Sequence, residues 1–276
     1  MIALLTFRPP ISPTPVAPYN LDYLVIAGGG GGGSSNYELN PAYASGGAGG
    51  YKSGSFIAAT NPSYTVIIGA GGAGPTRKGN NSYFQYFFGK IESTGGGGGG
   101  INTVQASLRV LPENGGSGYG ATLGIAQGVG IPGEGFAGGI AILNGMGGGG
   151  GAGEAGANSD ATAKGGDGLT WLDGVIRAGG GGGRTANNVV GAGGAGGGGS
   201  GGASYLTGAT SGAVNTGSGG GGNGNFVGGY GPTLGGSGIV KFRYAGTPRA
   251  TGGTITQNGG FTYHEFTSSG RLIFTS

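Results

Sequence analysis

For metal binding and for imidazole, thiolate or carboxylate chemistry this chain offers one histidine, ten carboxylates and no cysteine. Without cysteine there is neither a thiolate nucleophile nor a disulfide framework. A metal site needs several His, Cys, Asp or Glu ligands brought together. His264 falls in a strand-like segment and the carboxylates are scattered, so no metal and no cofactor is expected. The letters Gly-x-Ser-x-Gly occur at 198–202 around Ser200. A nucleophile elbow needs a strand before its serine and a helix after it, whereas Ser200 sits inside a glycine run. Gly-x-Gly-x-x-Gly matches abound, but with 80 glycines in 276 residues they arise by chance. None opens a helix that would hold a pyrophosphate. A phosphate-binding Gly-Lys-Ser/Thr is missing, since Lys90 follows Gly89 but precedes Ile91. Residues 221–225 start like a calcium-binding nonapeptide, but Phe226 stands where aspartate is required and no tandem array follows. The sequence predicts a protein that is not an enzyme.

The chemistry that remains is surface recognition. Segments between the glycine runs are rich in Asn, Ser, Thr and Tyr, which combine adaptable hydrogen bonding with aromatic contact. Tyr37, Asn40, Tyr43, Asn187, Asn188, Tyr205 and Phe226 are the candidate receptor-binding residues. A second candidate surface lies at the start of the chain. Pro9, Pro10, Pro13, Pro15 and Pro18 make residues 1–20 a semi-rigid extended arm. Ile2, Leu4, Leu5 and Phe7 give that arm an apolar tip for docking on a partner or a second copy of the chain.

The elements that must position these residues are glycine runs, at 28–33, 95–100, 147–151, 179–183, 196–199 and 219–222. Glycine lacks a Cβ, so one such backbone can approach another closely. Ordering six glycines costs roughly 6–12 kcal/mol of backbone entropy, so an ordered run needs partners. Its natural form is the polyproline-II-type helix, with about three residues per turn and a rise of about 3.1 Å. That helix has no internal hydrogen bonds, so its buried N–H and C=O groups must pair with neighbouring chains. Several runs folded side by side satisfy one another. A flexible Gly-rich linker is the competing reading. It conflicts with the apolar flanks of the runs and with a charged content of 8% against 36% hydrophobic.

Between the runs the pattern is β. Residues 21–27 and 64–69 read as strands, and the aromatic stretch from Ser82 through Ile91 as one or two more. An apolar island at 169–177 carries Trp171, the only tryptophan, which is expected in a core. Residues 239–244 alternate cleanly, predicting Val240, Phe242 and Tyr244 inward and Lys241 and Arg243 in solvent. Asn258-Gly259 signals a tight hairpin before strands at 261–267 and 271–275. No segment has a sustained helical period. The fold class predicted is all-β: a β-sandwich or jelly-roll-like layer with an inserted polyglycine-II helix bundle. It divides into a Pro-rich arm (1–20), a glycine-rich β domain (21–250) and a C-terminal β-meander packed on it (251–276).

Net charge is +3 and the pI near 9.1, but Lys and Arg form no cluster, so nucleic acid is not an expected partner. The apolar N-terminal run is too short for a signal sequence and no stretch approaches the length of a membrane span. The expectation is a soluble protein without membrane insertion.

Tyr23-Leu-Val-Ile-Ala and the glycines that follow, then residues 46–56, 64–74, 93–100 and 235–246, taken in that order, resemble the glycine-rich domain of bacteriophage tail and virion proteins. Residues 259–276 resemble the strand pair that often leads into such a domain. The chain is also similar, more distantly, to the glycine-rich receptor-binding adhesins at tail-fibre tips of T-even-like phages. There, polyglycine helices form a sandwich whose end loops touch the host. It is similar too to the glycine-rich extracellular region of anaplastic lymphoma kinase. The resemblance implies a non-enzymatic virion protein, a tail-fibre or tail-tip adhesin on the particle surface. Its partners would be other virion proteins, its own copies in a trimer, and a host surface protein or glycan. The alternatives are a capsid or tail decoration protein anchored by the Pro-rich arm, and an ice-binding or matrix protein.

Overall fold

A computed structural model of the chain describes residues 19–33, 44–58, 63–73, 77–86, 89–99, 113–122, 124–203, 207–223 and 231–275. Within them lie the strands β1 (Tyr19–Ile26), β2 (Tyr51–Ala58), β3 (Ser63–Ile67), β4 (Ser82–Tyr86), β5 (Gly89–Ser93), β6 (Leu169–Thr170), β7 (Ile176–Arg177), β8 (Ile239–Ala245), β9 (Ala250–Thr251), β10 (Thr254–Asn258), β11 (Phe261–Phe266) and β12 (Gly270–Phe274). They build two five-stranded antiparallel sheets, ordered β10-β11-β8-β1-β2 and β5-β4-β3-β12-β9, and a two-stranded hairpin, β6-β7. Among the described residues there is no helix of the α type. The architecture is all-β and sandwich-like, as the alternating segments predict.

Period-2 patterning fixes which face each strand buries. Leu21 and Val25 of β1, Val240, Phe242 and Tyr244 of β8, and Phe266 of β11 point at the second sheet. They meet Tyr64, Val66, Phe84, Leu272 and Phe274 from it, and together fill the core between the two layers. Phe84 and Phe242 meet edge to face at 5.0 Å, a favoured aromatic arrangement. The hairpin at the end of β10 turns on Gly259 and Gly260, both at positive φ (58° and 81°). Asn258 pairs with Phe261 across it, so the tight turn sits one residue beyond the predicted Asn-Gly pair. Strand β2 was not anticipated, because Ser53-Gly54-Ser55 interrupts its alternation. Gly54 is there because the Tyr23 ring lies over it.

The glycine runs emerge directly from strand ends and form a bundle of three-residue-per-turn helices. Run 28–33 shows the period. Gly28 and Gly31 donate to the carbonyls of Asn80 and Arg77, at 3.0 and 2.7 Å. Gly30 and Gly33 donate to Gly47 and Ala44. Gly29 donates to the Gly236 carbonyl and Gly32 to Thr233 Oγ1. Every third N–H therefore finds the same neighbouring segment, and three segments surround the run. Residues 147–152 repeat this with segments 118–121, 154–157 and 178–181. None of Gly28 to Gly33 has positive φ. Glycine is needed at these positions for close approach: a Cβ on Gly30 would collide with the Gly97 carbonyl.

From residue 113 onward the chain climbs and descends through this bundle. Its turns alternate between the end that meets the sandwich and the opposite, distal end. Distal turns lie at 122–125, 140–145, 158–163 and 185–190, and Ala203 is closed to Thr207 at the same end. Basal turns lie at 131–135, 151–154, 194–198 and 213–217, together with the β6-β7 hairpin.

Two residues expected in solvent are covered instead. Lys241 and Arg243 are not in solvent. Lys241 is 6% exposed and Arg243 pairs with Asp22 at 2.7 Å with both side chains largely covered. The β6-β7 hairpin folds over this outer face of the first sheet and packs Trp171 against Tyr263, with rings 6.2 Å apart. Trp171 is buried, as expected, in a second core cluster with Leu24, Ile26, Tyr51 and Ile239.

Candidate functional site

One layer of hydrogen bonds ties the distal end together. Gly33 donates to the Ala44 carbonyl at 2.9 Å, Gly202 to Gly222 at 2.9 Å, Gly222 to Gly182 at 3.0 Å and Asn223 to Gly33 at 3.4 Å. In the sequence, described residues of this layer stand next to, or one residue from, the segments 34–43, 204–206 and 224–230, and Gly182 stands shortly before the 184–190 turn. These four segments carry all seven candidate receptor-binding residues. Asn187 and Asn188 lie among the described residues. Tyr37, Asn40, Tyr43, Tyr205 and Phe226 lie outside them, as do the arm residues Ile2, Leu4, Leu5 and Phe7.

The turn holding Asn187 and Asn188 is built by its own sequence. Asn188 adopts φ of 65°, a left-handed conformation that asparagine tolerates better than most residues. Its Oδ1 accepts from Arg184 Nη1 at 3.1 Å, and Arg184 Nη2 donates to the Asn144 carbonyl at 2.8 Å. Thr185 closes the turn by accepting from Val189 N–H on Oγ1 at 2.9 Å. Asn188 is thereby half-buried and engaged, while Asn187 at the tip is exposed.

Beside Asn187 a cleft of about 500 Å³ opens between the 158–164 and 185–192 segments. Asp160, Thr162, Lys164, Asn187 and Val189 are on its walls. Ser159, beneath it, is fully buried and bonds the Ile142 backbone. Lys164 pairs with Asp167 at 2.7 Å. Carboxylate, ammonium, hydroxyl and amide groups around an open cleft suit a polar ligand of a few rings or residues. The sequence reading missed Asp160, Thr162 and Lys164. They come from a neighbouring turn 25 residues from Asn187, and only the bundle brings the two together. Arg77, also at this end, is buried at φ of 55°. Its Nε and Nη1 have no hydrogen-bond partner among the described residues.

A second group of charges lies at the opposite end, under the β6-β7 hairpin. Asp173 receives Arg177 on both oxygens, at 3.1 and 2.9 Å, and Lys241 Nζ at 2.7 Å. Lys241 Nζ also meets Glu265 at 2.7 Å. Burial alone would raise the Asp173 carboxyl. The hydrogen bonds from Arg177, Lys241 and the Val175 N–H outweigh it and hold the group at about 2.

His264 and the serine of the Gly-x-Ser-x-Gly letters are each held by hydrogen bonds. His264 is fully buried in β11, with Tyr244 Oη at 3.0 Å from Nε2 and the Gly252 carbonyl at 2.7 Å from Nδ1. Ser200 Oγ lies 3.2 Å from Thr210 Oγ1, within the bundle. The two residues belong to different halves of the molecule.

A family model described as a glycine-rich domain matches residues 11–245. No curated protein matches the chain.

Proposed function

The chain belongs to this glycine-rich domain family, and from that premise we propose that it is a non-enzymatic bacteriophage virion protein, a tail-fibre or tail-tip adhesin. The carrying observation is the polarity of the bundle. Strands run into one end of it, and the other end carries the turns at 140–145, 158–163 and 185–190. A slab whose backbones pair on several sides is a rigid platform, and rigid platforms with variable end loops suit recognition. The cleft between the 158–164 and 185–192 turns supplies a polar recess on that platform. In this reading the base and the Pro-rich arm join other virion proteins and further copies of the chain. The distal turns take a host surface protein or glycan.

The test is adsorption of labelled protein to cells of the particle's host. Replacing Asp160, Thr162 and Asn187 together by alanine should lower adsorption at least about tenfold, the loss of about 1.4 kcal/mol. The thermal melting curve should be unchanged, since Asp160, Thr162 and Asn187 are exposed. Adsorption equal to that of the unaltered protein would remove the cleft from the reading. Gold-labelled antibody marking the capsid or tail tube, and no fibre end, would remove the adhesin assignment.

A further inference from the structure

Lys241 is an unusual lysine. It sits in the middle of β8, 6% exposed, with two carboxylates each 2.7 Å from Nζ. The rings of Trp171 and Tyr263 lie 5.9 and 6.0 Å from the same nitrogen. Asp173, one of the two carboxylates, is on the turn of the β6-β7 hairpin, 68 positions away in sequence. Glu265, the other, is on β11 directly across from Lys241 in the strand pairing.

We propose that Lys241 and Asp173 condense into an intramolecular isopeptide bond, with Glu265 as the proton relay. The site begins with two cations, Lys241 and Arg177, and two anions, Asp173 and Glu265. Lys241 passes one proton to Glu265, which frees the Nζ lone pair. Nζ adds to Cγ of Asp173, forming the C–N bond. Charge developing on the carboxyl oxygens is met by the two Arg177 N–H groups that already contact them. A second proton leaves Nζ, and one carboxyl oxygen collects it together with the proton held by Glu265. The C–O bond breaks and that oxygen departs as water. Ammonium plus carboxylate becomes amide plus water, with no oxidant or co-reactant, and Glu265 ends as it began.

Three physical features favour the step here. Contact between the groups replaces a bimolecular encounter, and such positioning is worth effective concentrations far above any solution value. Partly buried charges carry a desolvation cost, and condensation removes one opposite pair while leaving Arg177 and Glu265 to balance each other. Lys241 and Asp173, the two groups that join, are both largely covered, which limits access of the water that would drive hydrolysis. The chain has no cysteine, so this bond would be a covalent tie between the hairpin and the sheet where a disulfide is impossible. Like a disulfide, it would restrict the unfolded chain.

Intact mass spectrometry of the purified full chain decides it. The expected mass is one water below that calculated from the sequence with the same termini. Tryptic digestion should yield peptide 165–177 joined through Asp173 to a peptide left uncut after Lys241. A folded protein at the full calculated mass overturns the proposal, as does a lost water located at any other residue pair. Lys241→Arg keeps the charge and cannot condense, so it should return the full mass. Glu265→Gln should also return the full mass while still melting cooperatively. A complete cross-link in that variant would overturn the relay role of Glu265.

Discussion

The two ring nitrogens of His264 are held by partners that require opposite roles of them. A carbonyl faces Nδ1, so Nδ1 must carry a proton and donate to Gly252. The Tyr244 hydroxyl faces Nε2 while accepting from the Arg249 N–H at 2.9 Å, so it donates its own proton to the ring. Both contacts are complete with the imidazole neutral. Burial lowers the pKa of His264 from its ordinary 6.5, with the bond to Gly252 opposing only part of that shift. The folded state thus binds fewer protons than the unfolded chain below that value. The stability it confers is present in full above pH 6.5 and is lost as the pH falls through the depressed folded value. The expected result is a melting temperature that declines on acidification from pH 7 toward 5. His264→Gln should flatten that slope. No other histidine exists to confuse the measurement, and an equal slope in the variant would contradict the assignment.

The strands and the glycine runs were legible in the sequence for different reasons. Strands such as β1, β8 and β11 are local patterns: alternation chooses the face and Gly259-Gly260 closes the turn. The helix form of a glycine run is also local, since entropy and unsatisfied backbone leave few ordered choices. Which run neighbours which was not legible, because runs of identical residues fit any neighbour equally well. The burial of Lys241 was hidden for a similar reason. Its cover comes from the β6-β7 hairpin, which the alternation of β8 cannot reveal. The cleft residues Asp160 and Lys164 required the order of the turns. Asn187, by contrast, could be picked out from composition, because a polar turn between two glycine runs has to lie at a bundle end.

The lateral packing of the runs makes a sharp contrast between two glycines. Gly30→Ala needs no change of dihedral, yet its Cβ would meet the Gly97 carbonyl, and neither backbone can retreat without breaking hydrogen bonds to Gly47 and Ser117. Overpacking usually costs about 1–3 kcal/mol, and a fixed backbone contact places this variant at or above the top of that range. Gly231→Ala meets nothing within 4 Å among the described residues and should change stability by less than about 0.5 kcal/mol. Chemical denaturation of the two variants measures the difference. Equal stabilities would show that the bundle tolerates side chains at Gly30.

At the scale of the whole molecule, the sandwich and the bundle share their chains. Segments 27–33, 68–73 and 94–99 continue β1, β3 and β5 without a linker, and segments 44–50, 77–81 and 231–238 lead straight into β2, β4 and β8. Separating the halves would break six continuous backbones at the point where glycine lattice becomes sheet. It would also expose Ala48, Ala152 and Ala178 of the bundle, which pack with Leu24 and Ile239 of the first sheet. At that boundary Asn80 and Asn81 are exposed and polar, but the Asn80 backbone is bonded to Gly28 and Ala70, unlike the loosely held linkers at which domains come apart. Both halves should therefore open in one cooperative event. Native-state hydrogen exchange tests this residue by residue. Amides of Gly29, Gly149 and Gly181, all buried and bonded to neighbouring carbonyls, should match the protection of Val25 and Phe242 in the sandwich. Exposed amides at the distal turns, such as that of Asn187, should exchange freely. Bundle glycines exchanging about 100-fold faster than the sandwich core would mean the lattice opens alone. The distal turns would then stand on a platform that yields before the sheets do, too soft to hold a recognition surface in place.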